Sequence, residues 1–543
     1  MDIEEIATEH LGHLGILSSI IKELGIVKKI DDLLPISKNK GAIVSMGQRV
    51  SAMILNGLGF LNDRLYMHPH FFEDKPVDSL IGKDIRAEHL NDDALGDCLD
   101  AIYEYGCTKF FGDVAFKIAY EKKLLGKFSR IDTTSLSVHG DYEEQDEEAV
   151  QITHGYSKQH RFDLKQVILS LTINGSSDLP IWIEGLNGNS SDKKSIKATA
   201  EKIEEFKKQL KEAPSFIYVA DSALYSKELL KSTNLKWITR VPESIAEANM
   251  LTQSEYGDLN WIRLDDKHEI VNLKSSYGGL EQRWQMVYSY AGYEREIKTL
   301  EKRIIKEHEN FTKELKKLGV YKCEPDAAKA ITQLQKKVKY HQISATYVAV
   351  SKYSKRGKPL KESQKEIVHY KIEGQLSRNE CSIMKAKNQC GRFILATNEL
   401  NEKELANESL LIEYKHQNSV EKGFRFIKSN EFMVSSLYLK KNSRIEALLV
   451  VMALCLIVYN FGQRKLRKAL EIAQDTVPDQ KKKPTKNPTL RWIFRLLNKI
   501  TVVIAFDKMG NIIKKTISNL CDVTKKIIKY FGEEAMSIYG IAN

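Results

Sequence analysis

At Phe128 the spacing of the apolar residues changes, and this change constrains the fold more than any other feature of the chain. Upstream, LGHLGILSSIIKELGIVKKIDDLLP, IVSMGQRVSAMILNGLGFL and LNDDALGDCLDAIYEYG carry apolar residues at helical intervals, which predicts helices with one buried face. Pro35 stops the first, and Asn91 is placed to cap the third, with Asp92 and Asp93 in its first turn. Downstream, FSRIDTTSLSVHG, QVILSLTING and LPIWIEGLNGN read as strands ending at glycine or asparagine turns. A helix (SSDKKSIKATAEKIEEFKKQLKEA), a strand reaching Asp221 (FIYVADSALYS), a short helix and a strand (KWITRVP) follow. That order predicts an α/β domain with a mixed sheet behind a helical N-terminal region.

Asp132 lies inside the first strand and Asp221 ends a later one. A carboxylate in an apolar run has to be satisfied, and a shared cation would satisfy both; a turn or cap role serves equally well for either alone. A third carboxylate sits in IEYKHQNSVEKGFRFIK, Ile412 to Lys428. At about 100° per residue, Tyr414, Glu421 and Lys428 fall within roughly 40° of one another on a helix, with Gln417 and Arg425 beside them. Val420, Phe424 and Ile427, with His416 and Gly423, form the neighbouring stripe that would dock this helix on a core. Three carboxylates can hold two divalent ions roughly 3.5–4 Å apart for in-line displacement at phosphorus. Magnesium, or manganese, suits such oxygen donors.

Residues 244–390 read as an insertion. Strands DLNWIRL, EQRWQMVYSYAG, ATYVAVSKY and IVHYKIEG surround the charged helix YEREIKTLEKRIIKEHENFTKELKKLG. Its heptad-like spacing predicts a helical hairpin with DAAKAITQLQKKVKY. The sheet resumes at GRFILATN, and residues 481–499 hold seven basic residues and no acidic one, which favours backbone phosphate contacts. The resulting segments are 1–125 (helical, DNA-binding), 126–243 (core, first part), 244–390 (insertion), 391–465 (core, second part) and 466–543 (basic).

With 83 basic and 72 acidic residues the net charge is +11, which favours a polyanionic partner over a sugar. Seven scattered cysteines without CxxC spacing read as reduced thiols, not a zinc site. MDIEEIATEH lacks the basic-then-apolar order of a signal peptide, and the strongest apolar run, Ala447 to Tyr459, is well short of the roughly 20 residues of a spanning helix. A cytoplasmic protein with no membrane partner is expected. No phosphate loop or GxGxxG occurs, so no nucleotide cofactor is expected.

Together these residues resemble the DDE transposases of bacterial insertion sequences, in particular the insertion sequence 4 superfamily. That group carries a signature of tyrosine, two residues, arginine, three residues, glutamate, six residues, lysine. Tyr414, Glu421 and Lys428 match it in spacing, while Gln417 stands at the arginine position. ITHGYSKQHRFDLKQVILSL, LNDDALGDCLD, RIEALLVVMAL and NPTLRWIF are similar to the subgroup named for insertion sequence 1634, so the resemblance covers nearly the whole chain. It implies a ribonuclease-H-like core with Asp132, Asp221 and Glu421 as catalytic, metal-holding carboxylates and two magnesium or manganese ions. It also implies a homodimer on double-stranded DNA, acting at terminal inverted repeats and at target DNA. Tyr414, Gln417, Arg425 and Lys428, with Lys158, Arg161 and Arg240, are the expected DNA contacts. Trp261 and Trp284 are candidates for base stacking. The bacterial cytoplasm, on the nucleoid, is the implied setting. A stand-alone nuclease or resolvase, and a catalytically impaired DNA-binding remnant acting as a repressor, remain alternatives, since glutamine cannot supply arginine's charge-assisted phosphate contact.

Overall fold

The computed structural model describes residues 3–36, 43–59, 67–140, 142–143, 145–157, 161–175, 177–210, 214–225, 230, 235–353, 365–428, 439 and 441–542. The chain forms two compact units, one of Met1–Trp237 with Glu413–Asn543 and one of Ile238–Ile412.

In the first unit the helical start opens with a strand that periodicity did not reveal. β1 (Glu5–His10) is followed by α1 (Leu14–Leu24), α2 (Ile26–Leu33), α3 (Met46–Leu58), α4 (Asp92–Tyr105) and α5 (Cys107–Glu121). The first apolar segment, expected as one helix, is two. Gly25, at φ +62, adopts the left-handed conformation that closes α1 and opens α2, a geometry that costs other residues a Cβ clash. Asn91 caps α4 as expected, its side chain accepting from the Ala94 amide at 2.9 Å.

From Phe128 the strands come in the expected order: β2 (Phe128–Val138), β3 (Lys165–Asn174), β4 (Leu179–Leu186), then α6 (Asp192–Lys207), β5 (Ile217–Ala220) and β6 (Lys236–Arg240). β2 pairs antiparallel with β3, and β3 with β4, whereas β5 lies parallel to β2. Each face of this sheet is covered. On one, Trp182 meets Phe206 of α6 at 5.4 Å between ring centres, and Ser170 and Thr199 share a hydrogen bond of 3.2 Å. Facing residues directly opposite one another in an antiparallel pair point the same way, so Asp132, opposite Leu171, points to the other face.

That other face carries α10 (Asn418–Ile427) and α11 (Asn442–Ile472), and is met by Glu413 near the end of α9 (Asn407–Lys415); these helices follow the second unit's α7 and α8 in the chain. α11 is long and apolar enough to cross a membrane by length and composition, but 83% of its most apolar stretch is buried inside the protein. It rests on β4 at Gly185 and is tied to α4 by a two-pronged Arg444–Asp100 ion pair of 2.6 and 2.7 Å. This partner holds the Asp100 carboxyl below its usual range.

In the second unit β7 (His268–Ser275) and β8 (Gln282–Ser289) form a hairpin and β11 (Arg392–Thr397) pairs with β8. DLNWIRL, expected as a strand, supplies only Ile262–Arg263. α7 (Tyr290–Lys317) and α8 (Glu324–Gln335) accompany a long ribbon, β9 (His341–Tyr353) with β10 (Lys365–Arg378). The expected packing of the two helices extends to the ribbon: Leu315 of α7 and Ala327, Ile331 and Leu334 of α8 share one cluster with Ile372 of β10, so the helices bury their stripes on the ribbon as well as near each other.

The first unit closes with α12 (Leu490–Leu497), β12 (Thr501–Phe506), β13 (Ile512–Ser518), α13 (Asp522–Lys529) and α14 (Glu533–Ile538). β12 sits between β1 and β13, antiparallel to both. Behind it the fully buried Tyr539 hydroxyl donates to the Gly12 carbonyl at 2.7 Å and accepts from the Ile16 amide at 3.3 Å. Burial pushes that phenol up.

Candidate active site

Two aspartates follow a parallel pairing of neighbouring strands. β2 and β5 pair in parallel as Phe128 with Ile217, Ser129 with Tyr218 and Arg130 with Val219. The ladder ends at Arg130 and Val219; its register continued two residues further would bring Asp132 level with Asp221, which lies just past the end of β5. Asp132 is half-buried and accepts from the Thr133 amide at 2.7 Å. Asp221 is exposed and caps the turn Ser222–Leu224 by accepting from the Ala223 amide at 2.9 Å.

The third carboxylate arrives on α10, and two contacts bracket it. The buried Arg130 guanidinium donates to Glu413 of α9 and, at 3.0 Å, to the Gly175 carbonyl. At the other end, Lys428 Nζ donates to Thr134 Oγ1 at 2.7 Å. The two helices therefore follow β2 in the strand's own direction, with Asp132 midway between Arg130 and Thr134 and Glu421 between Glu413 of α9 and Lys428 at the end of α10. Gly423 lets α10 ride low: a Cβ there would stand 3.1 Å from Leu171 and Leu456 and 3.3 Å from Ile173. Leu171 is the cross-strand partner of Asp132. Val420, Gly423, Phe424 and Ile427 are buried, as their stripe predicted, whereas His416, expected in the same stripe, is exposed, as are Glu421 and Arg425.

One expectation needs correction. Ile412 to Lys428 is not a single helix, because a tightened turn separates α9 from α10 at His416 and Gln417. There the amides of Gln417, Ser419 and Val420 bond back three residues, to Tyr414, His416 and Gln417. Three-residue bonding turns the chain faster than an α-helix, so the angular argument holds from Glu421 to Lys428 and does not carry Tyr414 with them. Tyr414 and Gln417 are both half-buried.

The remaining expected contacts are dispersed. Arg161 is exposed and paired twice with Asp163, at 2.9 and 2.7 Å, which holds that carboxyl at about 2. Arg240 belongs to the second unit, paired with Glu243 at 2.8 Å and lying over the Phe393 ring. Lys158 lies outside the described residues. Trp284 is buried, its indole donating to Gln282, whereas Trp261 is stacked on Tyr256 at 5.4 Å. Arg130, Glu413 and Thr134 were not anticipated; the one signal for them was a cation two residues before Asp132, on its own face of the strand.

The donor set fits a divalent ion by chemistry, with two hard oxygen donors on or just past neighbouring strands and a third on the helix above the same face. Among the described residues no three acidic, histidine or cysteine side chains are already gathered closely enough to hold a metal.

A family model described as the transposase DDE domain matches residues 127–458, well over half the chain, and a domain of unknown function (DUF4277) matches residues 6–116. The chain belongs to the transposase DDE domain family, a class of DNA-cleaving enzymes whose members generally use divalent metal ions. No curated protein matches it. Among solved structures it is similar to a piggyBac transposase synaptic complex with hairpin DNA, at 9% identity over 91% of this chain and 82% of that one, with a TM-score of 0.35.

Proposed function

We propose that this transposase binds the terminal inverted repeats of a bacterial insertion sequence of the insertion sequence 4 superfamily, insertion sequence 1634 type. It cleaves the phosphodiester at each end and joins the freed 3′-hydroxyls to target DNA. In the first step water attacks phosphorus and the element's 3′-oxygen leaves; in the second that hydroxyl attacks a target phosphodiester and a target 3′-oxygen leaves. The observation that supports this reading is the parallel pairing of β2 with β5 just ahead of Asp132 and Asp221, together with the contacts of Glu413 and Lys428 to β2 on either side of Glu421.

We read the first unit's sheet as ribonuclease-H-like, with Asp132, Asp221 and Glu421 as the residues that would hold magnesium or manganese. Such an ion, when bound, supplies Lewis-acid polarisation of a phosphodiester oxygen. Arg425 is exposed one turn from Glu421, on the same side of the helix, and takes a DNA phosphate; Lys428 holds the helix to β2 and contributes positive charge beside it. Tyr414, at the end of α9, and Gln417, in the turn before α10, contact the DNA end, with Lys158, Arg161 and Arg240 as further contacts. A homodimer on DNA, in the bacterial cytoplasm, handles the two ends together. The second reading, a DNA-binding copy impaired in cleavage, is favoured by the neutral Gln417.

The test is metal-dependent cleavage of a labelled duplex carrying the element end, with Asp132→Ala, Asp221→Ala and Glu421→Ala beside the wild type. Each substitution is expected to abolish cutting and leave DNA binding in place. Cutting retained by any of the three removes that residue from the site; binding without cutting by the wild type supports the second reading, with Gln417→Arg as its rescue.

A further inference from the structure

The outward stripe of α11's second half belongs to no site described above. Asn460, Gln463, Arg464, Arg467, Lys468 and Glu471 recur at three- and four-residue intervals and, with Ser177 and Asp178 of the β3–β4 turn, line an open cleft of about 380 Å³. Asn460 closes one side by donating to the Asp178 carbonyl at 2.6 Å. Arg467 is half-buried and donates to the Pro488 carbonyl at 2.9 Å. Burial works against its charge, so an anion in the cleft would offset that cost. The basic stretch 481–499 is held beside the same helix and the turn after it: the Arg491 amide donates to the Tyr459 hydroxyl of α11 at 3.3 Å, and Lys486 donates to Gln474, just past the helix end, at 2.6 Å. Within that stretch, α12 and the residues after it expose Arg491, Arg495 and Lys499 at four-residue intervals. Three cations against Asp178 and Glu471 leave the cleft positive, and the α12 stripe extends that charge with no acid among its own residues.

The cleft is distinct from the carboxylate site. Asn174, which leads into the β3–β4 turn, pairs with Ser129 at the start of β2, upstream of Asp132.

We propose that this cleft binds the phosphate backbone of duplex DNA, with Arg464, Arg467 and Lys468 as its cations and the α12 stripe continuing the track. The proposal rests on the transposase reading for its choice of polyanion. Contacts to phosphates carry no sequence information, so the cleft adds affinity to any duplex, element end or target alike.

The test uses the full chain and two labelled duplexes of equal length, one with the element end and one of scrambled sequence, titrated across a salt series. Arg464→Gln combined with Lys468→Gln is the main variant. Lys468→Glu alone, on an exposed side chain, keeps the test decisive if the pair fails to fold. The expected result is weaker binding of both duplexes and a shallower salt dependence. Because the double variant neutralises two fewer phosphates, raising salt from about 50 to about 200 mM costs it about 12-fold less affinity than it costs the wild type. Unchanged affinity and slope in a folded variant overturns this inference and leaves the transposase reading standing. A wild type that cuts or binds neither duplex overturns both.

Discussion

Replacing Gly423 sets two effects against each other on one helix. An added Cβ would meet Leu171 and Leu456 at 3.1 Å and Ile173 at 3.3 Å, all three deep in the core between α10, α11 and the sheet. These contacts are a few tenths of an ångström too short, and overpacking of this kind costs about 1–3 kcal/mol. Alanine recovers about 1 kcal/mol through helix propensity, so Gly423→Ala should lose only about 0–2 kcal/mol, and Gly423→Val more. The catalytic consequence is larger. Lifting α10 moves Glu421 relative to Asp132 by an amount comparable to the ~0.5 Å that a reacting constellation tolerates, and a 1 Å misplacement costs about 10²-fold. We expect single-turnover cleavage of the element-end duplex to fall about tenfold for alanine and about a hundredfold for valine, with DNA affinity unchanged. Urea unfolding and a binding titration accompany the cleavage assay. A folded, DNA-bound Gly423→Val protein that cuts at the wild-type rate would refute the view that α10's seat on β3 positions the carboxylate.

Three further expectations concern the frame of the site and the fold. Arg130→Met strands Glu413 without its buried partner and should cost about 3–5 kcal/mol; adding Glu413→Leu should restore much of it, and a double variant no more stable than the single would exclude the ion pair as the cause. Lys428→Met removes the anchor to Thr134 and is expected to lower cleavage more than tenfold while DNA binding weakens only slightly; equal losses in both would assign Lys428 to binding alone. His13 is fully buried, its Nε2–H donating to the Leu58 carbonyl at 2.9 Å, and burial pushes its pKa down to about 4. The unfolded chain therefore binds a proton that the folded one refuses between about pH 6.5 and 4, so stability is full above that window and falls through it, by up to about 3 kcal/mol. Urea midpoints between pH 4 and 7 should drop less steeply for His13→Gln, and parallel curves would discount the histidine.

The elements around the carboxylates could be read from local pattern because each obeys a period. β2, β3 and β4 alternate or run apolar, Asn91 caps where a cap was due, and Val420, Phe424 and Ile427 are buried together. Periodicity reports which face is covered, not what covers it, and the misses share that origin. α7 and α8 have the stripes expected of a hairpin, yet their partner is also a β-ribbon. The turn at His416 and Gln417 contains neither glycine nor proline, so nothing local marks it. Arg130 and Glu413 are 283 residues apart, and β1 is a strand only because β12 lies beside it. The strands that lead to the two aspartates are joined by a parallel pairing that no spacing within either strand encodes.

The pairing of β1 with β12 also bears on how the protein comes into being. Residues 5–10 leave a ribosome long before their partners at 501–506. Long-range pairing of this kind is slow to form because loop closure comes before any contact rewards it. Until then the N-terminal strand presents an open edge, the kind of surface that recruits other chains. A ribosome that stops anywhere before β12 therefore leaves a helical domain with an unsealed strand, and shortened products should be the aggregating and degraded fraction of any synthesis.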